Sequence, residues 1–288
     1  MALRAVLREA VTQFKRAGLA FGHGMHNARD EAIYLILHTL ELPLGELDSV
    51  LDRYLSPGEL ESVRAVLQRR IHERRPAAYL TREAWLGEFR FYVDERAIVP
   101  RSFIAELLRD GLVPWVKDKR QIRSALDLCT GSGCLAVLAA HAFPKARIDA
   151  ADLSTEALLV ARRNVKDYAL GRRVRLVQCD LFDRLAARRY DLILSNPPYV
   201  NAAAMRALPR EYRREPRLAL AGGRDGLALV HRLLAQAAEH LHPLGLLIVE
   251  IGHNRKTLEL AYPRLPFVWL DTSAGEDYVF MLRKEDLL

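Results

Sequence analysis

Residues 196–199 read Asn196-Pro197-Pro198-Tyr199, and this tetrapeptide has the groups needed to hold a planar nitrogen. A side-chain amide or an exocyclic amine is a poor nucleophile, because its lone pair is delocalised into the adjoining π-system. If its two N–H groups donate to the Asn196 side-chain oxygen and to the Pro197 carbonyl, the nitrogen is fixed with its lone pair aimed at an electrophile. An in-line displacement then draws most of its acceleration from positioning. No strong base is needed, since the nitrogen becomes acidic only as the new bond forms. The prolines stiffen the turn, and Tyr199 can stack on the planar group. Asn-Pro-Pro is by itself an ordinary turn signal. Its place at a strand end, three strands on from a glycine turn, favours the chemical reading.

The electrophile is read from that glycine turn and from three acidic residues. Asp127 ends a strand, and Gly131 and Gly133 follow it into an apolar helix, Leu135 to Ala142, so a ligand can approach the backbone closely. Such a turn alone is shared by several nucleotide sites and by plain tight turns. Asp152, about twenty residues further on at the next strand end, can accept both ribose hydroxyls of a nucleoside. A dinucleotide would want a third glycine against its pyrophosphate, and Val137 stands there instead. S-adenosyl-L-methionine carries no phosphate, and its ammonium would be drawn to Asp127, whose other reading is a buried cap on the turn. Asp180, ending the third strand, can accept from an adenine amino group with Leu181 and Phe182 packed near the ring. An Asp after a strand is also a common helix N-cap.

A parallel sheet covered by helices would bring these strand ends together. Apolar runs suited to it are SALDLC (124–129), RIDAADL (147–153), VRLVQCD (174–180), YDLILSN (190–196), GLLIVEIG (245–252), FVWL and YVFML. The fold expected for residues 102–288 is a doubly wound, Rossmann-like α/β domain. Residues 1–82 read as helices, with Leu3, Val6, Leu7 and Ala10 at helical spacing and Ser56-Pro57-Gly58-Glu59 as a helix start. Residues 83–101 read as a β-hairpin linker, with Asp94-Glu95-Arg96 in its middle. The one long irregular connection, Pro197 to about Gly226, carries Arg206, Arg210, Arg213, Arg214 and Arg217 beside the tetrapeptide. These arginines suit ribosomal RNA, the acidic face of a protein substrate, or plain solvent. Gly222, Gly223 and Gly226 suggest a shaped turn or lid near the substrate.

Half of the 288 residues are hydrophobic, enough to bury a full core, and no apolar run is long enough for a membrane span. Arg8 and Glu9 fall where a signal peptide would be apolar, which gives a cytoplasmic expectation. Cys129, Cys134 and Cys179 are too few and too irregularly spaced for a disulfide framework or a four-ligand zinc site. A formal charge of +7 and a pI near 9.4 favour encounter with polyanions. His23, His26, Asp30 and Glu31 are read as a capped, solvated helix start in preference to a metal site.

The order DLCTGSGCLA, ADLS, CDLF, SNPPY resembles the class I methyltransferases that act on amino and amide nitrogens. With FYVDERAIVPR before them and EYRREPRLALAGGRDGL after them, the chain is similar over nearly its whole length to the protein-(glutamine-N5) methyltransferases. That resemblance implies a seven-stranded, mostly parallel sheet and a helical substrate-recognition domain. Within the family, Cys129, Arg101-Ser102-Phe103 and HGMHNARDEA resemble the branch acting on the third large-subunit ribosomal protein, free or in an assembly intermediate. The sister branch acts on class I peptide release factors. The resemblance implies cofactor contacts from Asp127, Cys129, Thr130, Gly131, Ser132, Gly133, Asp152, Leu153, Asp180, Leu181 and Asn196. It implies a grip on the glutamine amide by Asn196, Pro197, Pro198 and Tyr199. Methylation of an exocyclic amine in RNA is the competing use of the same tetrapeptide, and commonly enlists a further domain to grip the flanking strand.

Overall fold

The computed structural model describes residues 1–288. Its elements are α1 (Leu3–Arg16), α2 (Ala28–Thr39), α3 (Leu47–Val50), α4 (Pro57–Glu73), α5 (Ala77–Thr81), β1 (Glu83–Leu86), β2 (Phe89–Tyr92) and α6 (Ile104–Arg109). Then come β3 (Ser124–Leu128), α7 (Cys134–Ala142), β4 (Arg147–Asp152), α8 (Thr155–Asp167), β5 (Val174–Gln178), β6 (Tyr190–Ser195), α9 (Ala202–Ala207), α10 (Ala228–Ala237), β7 (Leu241–Glu250), α11 (Arg255–Ala261), β8 (Val268–Leu270) and β9 (Val279–Arg283).

Seven strands form one sheet in the order β5-β4-β3-β6-β7-β9-β8, parallel from β5 to β7 and antiparallel on both sides of β9. Successive side chains of a strand point to opposite faces, and the two cores divide accordingly. Ala125, Leu192, Leu194, Leu246 and Ile248 pack under α6 and α7, whereas Leu126, Ile193, Leu247 and Val249 pack under α10 and α11. The chain runs outward from β3 to β5 and then returns to the other side of β3 as β6. In such a sheet the crevice beyond the carboxyl ends of β3 and β6, where the winding reverses, is where ligands bind. The glycine turn follows β3 and the Asn-Pro-Pro-Tyr turn follows β6.

The first five helices enclose a separate core containing Leu3, Val6, Leu7, Ala10, Leu35 and Ile36. α4 starts as its sequence indicates: Ser56 Oγ accepts from Glu59 N (3.3 Å) while Glu59 accepts from Ser56 N (2.8 Å). Two expectations need correction. The hairpin turns at Gly87-Glu88, between β1 and β2, and Asp94-Glu95-Arg96 lies beyond it. Asp94 there gathers Tyr92 Oη (2.7 Å) and the Arg96 guanidinium, a closed local ion pair in place of a hairpin loop. The helix start near residue 28 is capped by Asn27, but His23 and Glu31 are buried; of the four, His26 is exposed and Asp30 half-buried.

The connection 197–226 is also different from a solvated loop. It contains α9 and two short 3-10 turns, and two of its acids are buried. Glu211 meets Arg70 (3.5 Å) and Arg74 (3.2 Å) from α4 and its C-cap, and Arg70 in turn donates to Glu31 (2.7 Å). Glu215 takes both arms of Arg101 (2.6 and 2.7 Å) and Val99 N (3.0 Å), with His23 Nε2 at 3.4 Å. The connection is thereby bound to the helical region and to the segment after the hairpin. Burial alone would raise the Glu215 pKa, but the Arg101 charge and the hydrogen bonds outweigh it and hold the group at about 2, below its ordinary 4.5. Because the folded value is the lower one, this contribution is whole above pH 4.5 and is lost as pH falls toward 2. Glu215→Gln should therefore cost about 3 kcal/mol or more at neutral pH, as for other broken buried pairs. In urea titrations the gap between wild type and variant should narrow steadily below pH 4.5. A gap unchanged down to pH 3 would show that Glu215 is not ionised against Arg101.

Candidate active site

A single cavity of about 590 Å³ opens at the carboxyl ends of β3, β4, β5 and β6. Cys129, Gly131, Asp152, Leu153, Asp180, Leu181, Asn196, Pro197, Pro198 and Tyr199 all line it. Asp127, Thr130, Ser132 and Gly133 do not; they lie behind the wall and shape it.

At the β6 end, Ser195 Oγ donates to the Leu128 carbonyl (3.0 Å) and ties the two strand ends together. Asn196 Nδ2 donates to the Arg101 carbonyl (3.2 Å). A carbonyl can only accept, so this bond settles which way the amide faces, and Oδ1 is left with no protein donor. The backbone of the tetrapeptide is backed by the 222–226 turn. A Cβ on Gly222 would lie 2.7 Å from Tyr199 Cα and 2.8 Å from the Pro198 oxygen, and one on Gly226 would lie 2.5 Å from the Tyr199 oxygen. These glycines admit a backbone in direct contact with Pro198 and Tyr199, so the expected shaped turn is present and serves as a buttress.

At the β3 end, Gly131 has φ +55° and its N–H donates to Asp152 Oδ2 (2.8 Å), while Ser154 N donates to Oδ1 (2.8 Å). Each Asp152 oxygen keeps a lone pair free, as a pair of hydroxyl donors would require. Gly133, at φ +78°, brings α7 so near α8 that a Cβ would meet Ala161 Cβ at 3.0 Å. Asp127 is a buried cap: Oδ2 accepts from Thr130 Oγ1 (2.5 Å) and Ala136 N (3.0 Å), and Oδ1 has no partner. Burial pushes this carboxyl up to about 7. A cation in the adjoining cavity would lower it again, acting through the wall behind which Asp127 lies. Cys129 sits at φ +60°, and burial followed by Asp152 and Asp127 raises its thiol, which stays protonated. Asp180 caps no helix; its Oδ2 accepts from Arg232 of α10 (2.9 Å), which also lines the cavity.

Three contributors are not apparent in the sequence reading. Asn164 of α8 donates to the Ser132 carbonyl (2.8 Å) and exchanges hydrogen bonds with the Tyr92 backbone, pinning the glycine turn to the hairpin. Arg232 comes from a helix with no motif of its own. Glu250 had a visible signal, an acid closing an otherwise apolar strand. It is 2% exposed, and it accepts from Ser102 Oγ (2.6 Å), Phe103 N (2.9 Å) and Tyr199 Oη (3.2 Å). Through these bonds it holds Tyr199 against the segment whose Arg101 carbonyl orients Asn196. Glutamine at 250 keeps an acceptor for Ser102 and Phe103 but turns an N–H toward Tyr199 Oη, so the bond that tethers the ring is reversed and its charge is lost. Glu250→Gln should lower kcat about tenfold and leave cofactor affinity within about twofold, as loss of positioning does. Parallel loss of both kcat and cofactor binding would mean that Glu250 merely holds the fold.

The methyltransferase small domain family matches residues 111–210, and the PrmC N-terminal domain family matches residues 5–81. Among solved structures, a methyltransferase from Pyrococcus furiosus aligns over 75% of this chain and 97% of its own, with a TM-score of 0.50 at 19% identity. That likeness supports the fold. The ribosomal protein uL3 glutamine methyltransferase of Neisseria gonorrhoeae is 58% identical over 99% of this chain and 95% of its own length. Those of Burkholderia pseudomallei and Bradyrhizobium diazoefficiens are 54% and 45% identical, over 99% and 98% of this chain and 95% and 90% of theirs. With identity of 45–58% over nearly its whole length, the chain belongs to the ribosomal protein uL3 glutamine methyltransferases.

Proposed function

We propose that this chain transfers a methyl group from S-adenosyl-L-methionine to the side-chain amide nitrogen of a glutamine in ribosomal protein uL3. The observation that carries the reading is the orientation of Asn196: its Nδ2 is engaged by the Arg101 carbonyl, which leaves Oδ1 to accept from a substrate N–H. The substrate's second N–H falls to the Pro197 carbonyl, and the Tyr199 ring, resting on Gly252 and tethered to Glu250, lies alongside the amide plane. On the cofactor side, Asp152 takes the ribose hydroxyls, Asp180 and Leu181 flank the adenine, and Asp127 attracts the ammonium. The bound cofactor supplies a sulfonium methyl. The amide nitrogen so held would take that methyl, with the thioether as leaving group and the amide proton passing to water.

The relatives' names support uL3 as substrate. The helical region is proposed to choose it, because Gly22 lines the cavity and Arg70 and Arg74 anchor the connection that rims it. No helix is long and apolar enough to cross a membrane, and the proposed workplace is the cytoplasm, where ribosomes are built.

Labelled S-adenosylmethionine offered with undermodified large-subunit particles and with unmethylated release factor should mark a glutamine of uL3. Asn196→Ala should reduce that transfer by about 10² or more while keeping cofactor affinity within a few-fold, as for removal of one preorganised acceptor. Label in the release factor would move the chain's substrate to the sister branch, and label in RNA would overturn a protein substrate. A second expectation concerns pH. Asp127 stands at about 7 without ligand and lower beside an ammonium, so binding requires its ionised form. Cofactor Kd should fall as pH rises, by about tenfold between pH 6 and 7.5, and flatten above. Asp127→Asn should weaken binding and remove this dependence; isothermal calorimetry of a variant that kept the slope would disprove the assignment.

A further inference from the structure

The connection 197–226 separates its charges by side. Residues 201–226 carry six arginines against three acids. Glu211 and Glu215 point inward and are consumed by Arg70, Arg74 and Arg101. Asp225 is exposed, but it caps the backbone of Leu227 and pairs with His231. Arg206, Arg210, Arg213, Arg214, Arg217 and Arg224 are all exposed, and none takes part in these ion pairs. Only Arg213 is tied down, donating to the Leu208 and Arg206 carbonyls. The same stretch supplies Leu208, Tyr212, Pro216 and Leu218 to the cavity wall. One ordered strip therefore faces the substrate on its inner side and presents unpaired guanidinium groups on its outer side.

Glu73 is held below its ordinary pKa chiefly by Arg69, and Arg214 lies close enough to add to that shift. The other arginines of the strip form no ion pair, and their mutual repulsion opposes the compact strip. The internal anchors through Glu211 and Glu215 offset that repulsion and hold the arginines in place before any partner arrives. Guanidinium groups fixed in this way suit phosphate, which they bind through paired N–H groups. Resting on the proposed uL3 substrate, we infer that this arginine face contacts ribosomal RNA phosphates beside the target glutamine, so that the preferred substrate is uL3 already seated on RNA. An acidic protein surface is the competing partner, and the experiment separates the two.

The probe is the triple variant Arg206→Gln, Arg210→Gln, Arg217→Gln, which spares Arg213 and every residue placed in the reaction. Methyl transfer is measured on RNA-bearing large-subunit precursor particles and on free uL3, from 50 to 200 mM salt. Wild type should show a strongly salt-dependent KM on particles only. In the variant that slope should be shallower by about 2, and KM should rise about tenfold at the upper salt, since each single-strand phosphate contact contributes about 0.7 to the slope. Turnover on free uL3 should be unchanged, which also shows that the variant is folded. An unaltered particle KM would mean that the face is only solvated, and an equal loss on free uL3 would mean that it meets protein; either overturns the inference. Should wild type methylate neither form of uL3, the proposed substrate fails, and anisotropy with a protein-free ribosomal RNA fragment still decides the face: binding lost in the triple variant supports it, and equal binding overturns it.

Discussion

The buried ion pair between Arg101 and Glu215 is the constraint on which the rest of the site depends. Arg101 has two engagements at once: its guanidinium takes both Glu215 oxygens, and its backbone carbonyl takes Asn196 Nδ2. Glu215 reaches on to Val99 N and His23. Three stretches far apart in the chain, the turn near residue 23, the segment after the hairpin and the connection after β6, thus converge on one carboxylate. Such a pair gains little net stability over an apolar replacement, since desolvating both charges consumes most of the attraction. Its value lies in register: two parallel hydrogen bonds fix the distance and the plane of Arg101, and so the place of the carbonyl that orients Asn196.

The same logic explains how thirty residues with little regular structure stay ordered. A connection of that length would ordinarily be disordered or functional. Here its backbone is held by the bridge from Val200 to Ala221 and by the close approach of Gly222 and Gly226 to Pro198 and Tyr199. Its two buried acids are held by Arg70, Arg74 and Arg101. The tetrapeptide therefore has a rigid strand before it and a rigid turn behind it.

How much of this could be read beforehand follows from the range of each interaction. The strands and the start of α4 were legible, because alternation and capping are local: Ser56 and Glu59 are three residues apart and both bonds form. The strand ends were legible too, so Cys129, Asp152, Asp180 and Asn196 fall on one cavity. The position of the hairpin turn was not legible, because Asp94-Glu95-Arg96 has turn composition while Gly87 has the backbone freedom, at φ +62°. What stayed hidden was pairing across long separations. Ser102 meets Glu250 and Arg101 meets Glu215 more than a hundred residues away, and no periodicity encodes such partners. His23 and Glu31 looked solvated for the same reason, since their partners Glu215 and Arg70 are not neighbours in sequence.

The disposition of the acids also bears on how a proton leaves the substrate amide. Glu250 is the carboxylate nearest the tetrapeptide, and both of its oxygens already accept from Ser102, Phe103 and Tyr199. Tyr199 donates its hydroxyl to Glu250, and burial together with that negative neighbour raises its pKa, so it keeps its proton. Glu215 is held ionised by Arg101 and is a weak base for that reason. Burial raises the Glu250 pKa, but its oxygens are occupied by its three donors, and Glu215 is occupied by Arg101, so neither stands as a free base. That arrangement suits an amide nitrogen, which has no basic lone pair to unmask before transfer and becomes strongly acidic once it carries the methyl group. The work assigned to the protein is then to hold the amide plane still, and the bonds around Asn196, Arg101 and Glu250 are spent on that.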